Sequence, residues 1–183
     1  MNGKILGGFI VATALIAGIA IYYLQVYHFY EVVEEEGQII ELTSLHSGAP
    51  EEIVAEEIEA IDAESSPIRY RACFQTPMSQ ALLTETYETY EAAEPLTAPG
   101  WFDCYNADEI GEALVSGQAI AFLSKRDVIY GVDRVAAVFD DGRGYIWHQI
   151  SDCGAAAFEG DPLPEGCPEP AETPNDDPEE DAI

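Results

Sequence analysis

NADEIGEALVSGQAIAFLSKRDVIYGVDRVAAVFDDGRGYIWHQI, residues 106–150, is the stretch whose reading decides the fold. Asn106 stands where a helix needs an N-cap, and Glu109 follows three residues later as in a capping box. Asp108 and Glu109 put negative charge in the first turn, and Gly117 stops the helix. Ile110, Ala113 and Leu114 fall together and form the inward face. Three β-rich runs follow: AIAFLS (119–124), DVIYGVDRVAAVF (127–139) and GYIWHQI (144–150). The last two are joined by DDGRG, whose aspartates and glycines supply the positive φ angles of a hairpin loop. A helix followed by an antiparallel meander is an α+β arrangement.

Upstream of this stretch the pattern continues. IRYRACF (68–74) alternates Ile68, Tyr70, Ala72 and Phe74 against Arg69, Arg71 and Cys73, the period of a half-buried strand. On this reading Arg69 and Arg71 lie on the polar side and neutralise neighbouring glutamates. In TPMSQALLTETYETYEAAEP (76–95), Thr76 before Pro77 resembles a helix start, with Leu83, Tyr87 and Tyr90 as the buried face. LTAPGWFDCYN (96–106) reads as a loop with Trp101 and Phe102 packed beneath it beside Cys104. QIIELTSL (38–45) has the length of a strand, while EEIVAEEIEAID (51–62) fits either a strand or an amphipathic helix.

The chain begins MNGKILGGFIVATALIAGIAIYYLQVYHFYEVVEEE. Ile5 to Leu24 is uncharged, and at about 1.5 Å per residue a helix of that length matches a hydrocarbon core of about 30 Å. A secretory signal has a shorter apolar core of roughly 7–15 residues ending in small residues. Gly18 and Ala20 resemble such a site, yet the apolar run continues through Leu24, which favours a retained anchor. Tyr22, Tyr23, Tyr27, Phe29 and Tyr30 mark the interface where it leaves the bilayer. Lys4 on one side and the glutamates after residue 30 on the other orient the N-terminus toward the cytoplasm. Gly8/Ala12 and Ala14/Gly18, each pair four apart, would let a neighbouring membrane helix approach closely.

Net charge is −28, from 35 acidic against 7 basic residues. Such a field repels phosphate backbones and anionic lipid headgroups, so neither nucleic-acid binding nor polybasic membrane attachment is expected. Cys73, Cys104, Cys153 and Cys167 all follow the span, where an oxidising compartment permits disulfides. Four cysteines allow three pairings. Cys73–Cys104 and Cys153–Cys167 are favoured, because Cys167 lies in a Pro-rich stretch that ties back locally to Cys153. From Asp161 the chain is polar and Pro-rich, and disorder is expected beyond Cys167.

Catalytic motifs are absent from the sequence: there is no GxSxG, HExxH, P-loop, Rossmann fingerprint or EF-hand loop. No cofactor is expected, and the chain reads as non-enzymatic. His148 with Asp152 or Cys153, and Cys73 with Met78, form an alternative ligand set that would suit copper(I) if the thiols were reduced. The competing reading of His148 is a structural histidine bonded to backbone.

The run APGWFDCYNADEIGEALVSGQAIAFLSKRDVIYGVDRVAAVF with the following WHQI and Cys153 resembles a family of short, single-span, membrane-anchored bacterial proteins whose domain has no known function. The resemblance brings no catalytic residue and implies a bacterial inner-membrane setting. The expected organisation is a cytoplasmic N-terminus (1–4), a transmembrane helix through the lipid bilayer (5–24), an acidic linker (25–36), a periplasmic α+β domain (37–158) and an acidic Pro-rich tail (159–183). The expected role is that of an accessory or interaction protein, with a membrane protein as partner and periplasmic metal or thiol-redox binding as the alternative.

Overall fold

The computed structural model describes residues 3–34 and 38–170. Its elements in chain order are a long helix α1 (Gly3–Tyr23), strands β1 (Glu31–Val33), β2 (Glu41–Thr43), β3 (Pro50–Glu52), β4 (Glu56–Asp62) and β5 (Arg71–Gln75), helices α2 (Gln80–Thr86) and α3 (Ala107–Ser116), strands β6 (Ala119–Ile129), β7 (Val132–Phe139) and β8 (Arg143–Ile150), and helix α4 (Asp152–Glu159). A π-helical turn, Leu24–His28, extends α1. Six strands form one antiparallel sheet in the order β1-β4-β5-β8-β7-β6, and β2 and β3 pair as a small antiparallel hairpin. This is the α+β class expected from residues 106–150.

The sheet is buried on both faces. Ile61, Cys73, Val135, Ala137, Tyr145 and Trp147 point to the side covered by Ile110 and Ala113 of α3 and by the loop aromatics Phe102 and Tyr105. Their neighbours Ala60, Ala72, Phe74, Ala136, Val138 and Ile146 point to the other side, against Leu83 of α2, Tyr87 and the hairpin residues Ile40, Leu42 and Ile53. Successive side chains on a strand alternate faces, so two covered faces give the near-continuous buried runs seen in β7 and β8.

Helix α3 starts and stops on the residues that the sequence marks. The Asn106 side chain accepts from the amides of Asp108 and Glu109, and Gly117 closes the helix at φ 77°. Only half of a capping box forms, because the Glu109 carboxylate turns away to accept from Arg143 at 2.8 Å.

Three expectations are corrected. The run 127–139 is not one strand: the chain turns at Tyr130 and Gly131 (φ 75°), and Asp127–Ile129 complete β6 instead. The helix expected from Thr76 is shorter, capped by Ser79 and finished at Thr86. Tyr87 to Tyr90 are extended and bridge β6 to β2, with Tyr90 N–H on the Ala121 carbonyl and Glu88 N–H on that of Thr43. The threonines and tyrosines of TETYETY suit extended chain, and the open edges of β6 and β2 offer backbone partners. Arg71 is not on a solvated face beside glutamates. It is buried, and its guanidinium donates to the carbonyls of Leu96, Ile68, Tyr70 and Thr97 at 2.6–3.1 Å.

Of the tail, Asp161–Pro170 is described and carries only a turn between Pro164 and Cys167; residues 171–183 lie outside the described residues.

Candidate membrane-proximal interface

The apolar stretch forms a continuous helical segment, Gly3–His28, with no buried residue and sufficient length and composition to cross a bilayer. A signal sequence near the N-terminus meets the same criteria of length and composition. Gly8, Ala12, Ala14 and Gly18 are all exposed, and nothing lies within 4 Å of where a Cβ would stand on Gly8 or Gly18. The hydroxyl of Thr13 donates back to the carbonyls of Phe9 and Ile10, both at 3.0 Å, so no side-chain donor is left unsatisfied there.

Where this segment ends, the folded domain grips it. The last carbonyls of a helix have no partner within the helix. The Trp101 indole N–H supplies one, donating to the Val26 carbonyl at 2.6 Å. Tyr30 meets Trp101 edge-on at 6.1 Å, and the Arg69 guanidinium lies over the Tyr30 ring at 5.5 Å while Nη2 reaches the Gln25 side chain at 3.5 Å. Three residues after His28 the chain is already β1, paired with β4 in the register Val32 to Ile61. Beside it the Cys73–Cys104 disulfide (Cα–Cα 6.3 Å) joins β5 to the loop that carries Trp101. The sequence marks Trp101 as a packed loop aromatic, but its bond to Val26 spans 75 positions and has no local signal.

A second polar cluster lies at the other end of the sheet. A cleft of about 460 Å³ is bounded by the Tyr90 segment, the β6–β7 turn and the chain from Pro164 to Pro168. Asp133 lies at its base, fully buried. One of its carboxylate oxygens accepts from the Asp127 amide at 2.9 Å, and the other from the Tyr90 hydroxyl at 3.1 Å with Arg126 at 4.0 Å. Burial first, and then the Asp133 charge, push the Tyr90 phenol well above its usual range and keep it a donor. Cys153 and Cys167, bonded to each other (Cα–Cα 5.5 Å), also line this cleft. Asp133 belongs to no sequence motif, and a carboxylate within the run VDRVAAVF is the signal that marks it.

His148 is held at both ring nitrogens. Nδ1 lies 2.7 Å from the Pro67 carbonyl and therefore carries the proton, leaving Nε2 to accept from Arg134 Nε at 2.9 Å. The ring stacks on Tyr70 at 4.9 Å, and Arg134 covers the other part of that tyrosine. Burial pushes the imidazole down to about 4, partly offset by the Pro67 carbonyl, so it is neutral at pH 7. The cysteines of the alternative ligand set are not free thiols. Cys153 is bonded to Cys167 and Cys73 to Cys104, while Met78 packs on the sheet face opposite Cys73. Among the described residues no group of three His, Cys, Asp or Glu side chains is placed to hold a metal.

The model of a family of unknown function, DUF6446, matches residues 40–168, from β2 through the turn after α4, and includes neither the apolar helix nor β1. No curated protein and no solved structure matches the chain.

Proposed function

Since the chain belongs to the DUF6446 family of unknown function, no activity is inherited with its fold, and we propose that it is a single-span inner-membrane protein whose disulfide-stapled domain serves in the bacterial periplasm as a non-enzymatic interaction module. The observation that carries this reading is the continuity of the apolar helix with the sheet: His28 is followed almost at once by β1, an integral strand of a domain containing two disulfides. Two disulfides favour an oxidising compartment, and an apolar helix ahead of them is the means of reaching it. Retention as an anchor is favoured by Ile21, Tyr22, Tyr23 and Leu24, which removal of a signal after Ala20 would leave exposed at a new N-terminus. The non-enzymatic part is supported by how the reactive side chains are used. His148, Asp133 and Arg71 each spend their polar atoms on the fold, and all four cysteines are bonded.

The test combines topology with partner capture. A reporter that matures only outside the cytoplasm, fused after Ile183, should be active, and the full chain should resist extraction by alkaline carbonate. Gly8→Leu with Gly18→Leu should abolish co-purification of a membrane partner captured by the wild type. A soluble species beginning near Ile21 would overturn the anchor, and a partner retained by the double variant would overturn packing through Gly8, Ala12, Ala14 and Gly18.

A further inference from the structure

We propose that the folded domain seats directly on the headgroup layer of a zwitterionic phospholipid bilayer, through Arg69, Trp101 and the outer face of β1, rather than standing off on a tether. The inference rests on the reading of α1 as a retained anchor. Residues 25 and 26 belong to the same helical segment as the span, so side chains touching them share their depth. Trp101 and Arg69 both do, at 2.6 Å and 3.5 Å. That depth is also the level of Tyr22, Tyr23 and Tyr27 at the end of the helix, where Tyr27 stacks on Tyr23 and meets Tyr22 edge-on. Indole and phenol rings favour this layer because it accommodates an apolar body and a polar edge together.

The surface beside this junction matches a headgroup layer in chemistry. Val32 on β1 is 71% exposed, the most exposed large apolar residue of the sheet, and Phe29 before it is 42% exposed. Between β1, β4 and the Trp101 loop is a hollow of about 290 Å³ floored by Val33, Ile58 and Ile61 and edged by Glu59 and Asp103. Arg69 has no carboxylate within 4.0 Å among the described residues; its Nη1 is buried without a hydrogen bond, and its Nη2 makes only the long, exposed one to Gln25. The donor that a lipid phosphate at headgroup depth would take is therefore Nη2, held only by that long bond. The surrounding Glu31, Glu59 and Asp103 carboxylates select the lipid class: they repel net anionic headgroups and face the ammonium of a zwitterionic one.

The chain has two tryptophans, and Trp147 is sealed in the core, so Trp101 alone can report on lipid. The full chain is reconstituted in phosphatidylcholine vesicles carrying bromine either near the headgroup end or near the methyl end of the acyl chain. Headgroup-end bromine should remove most of the Trp101 emission and methyl-end bromine little of it. Trp101→Phe should abolish that difference, and Arg69→Gln should reduce it. Should Trp101→Phe fail to fold, the dependence of wild-type emission on bromine position decides, because Trp147 is shielded from both. Carbonate-resistant protein whose emission ignores bromine position would overturn the seating and leave the anchor standing; release by carbonate would overturn the anchor itself. An Arg69→Gln protein quenched like the wild type would overturn the phosphate contact.

Discussion

At the residue scale, the polar side chains of this domain are spent on internal accounts of structure, and His148 shows how that couples to pH. Its imidazole titrates near 4 in the fold against about 6.5 when unfolded, so the unfolded chain binds the extra proton first. The contribution of neutral His148 is therefore complete above pH 6.5 and is lost progressively as pH falls toward 4. The loss is on the order of 3 kcal/mol for a ring this buried. Denaturant unfolding of the wild type and His148→Gln between pH 7 and pH 4 should show a steeper fall for the wild type; parallel curves would contradict the assignment. Arg71 uses its fork in a different way. Its charge is buried among backbone carbonyls, with the Tyr105 ring at 5.9 Å, and it ties the Leu96–Thr97 loop to β5.

At the scale of elements, the pairing of β5 with β8 depends on a missing side chain. Phe74 stands opposite Gly144 in the register, and its ring occupies the volume that a Cβ at Gly144 would need. Gly144→Ala must displace an aromatic ring that is itself buried between the sheet and α2, at a cost of about 1–3 kcal/mol. A thermal or denaturant midpoint unchanged in Gly144→Ala would show that the ring can move aside freely. The β6–β7 turn has a similar close approach, where Gly131 at φ 75° lets α4 come in through Gly154, with their backbones in contact. Strand β6 is an exposed edge only in part, because Glu88–Tyr90 covers it at Ala121–Leu123.

Across the whole molecule, the two disulfides constrain different things. Cys73–Cys104 closes a separation of 31 residues and joins the sheet core to the loop that holds the end of α1, whereas Cys153–Cys167 closes 14 and pins the chain after α4 across the Asp133 cleft. Loop-closure entropy alone assigns about 3.7 kcal/mol to the first and about 3.0 kcal/mol to the second. Cys73 is also buried in the core, so replacing it with alanine adds a packing loss. Paired alanine variants should therefore rank with Cys73/Cys104 the less stable, as read by denaturant midpoint. In Cys153/Cys167 the amides of residues 161–168 should exchange faster while β7 and β8 stay protected; the reverse order of stabilities would contradict this division.

What the sequence by itself determined is what can be read within a window of a few turns. The uncharged run through Leu24, the caps Asn106 and Gly117 around α3, and the glycine-containing hairpin after Phe139 are local patterns with local physical causes, and together they carry the α+β class. Tertiary structure alone decided which faces are covered. IRYRACF looked half-solvated because it alternates, yet α3 with its loop and α2 with the β2–β3 hairpin bury both sides, which turned Arg71 from a surface charge into an internal tie. Tyr87–Tyr90 read as the end of a helix, yet the chain leaves α2 at Thr86 and the edges of β6 and β2 make these residues a bridging segment. The grip on the helix end was equally invisible, since Trp101–Val26 and Arg69–Gln25 join positions 75 and 44 residues apart. Contacts at such separations are set by how the assembled sheet brings its loops together, and no periodicity along the chain encodes them.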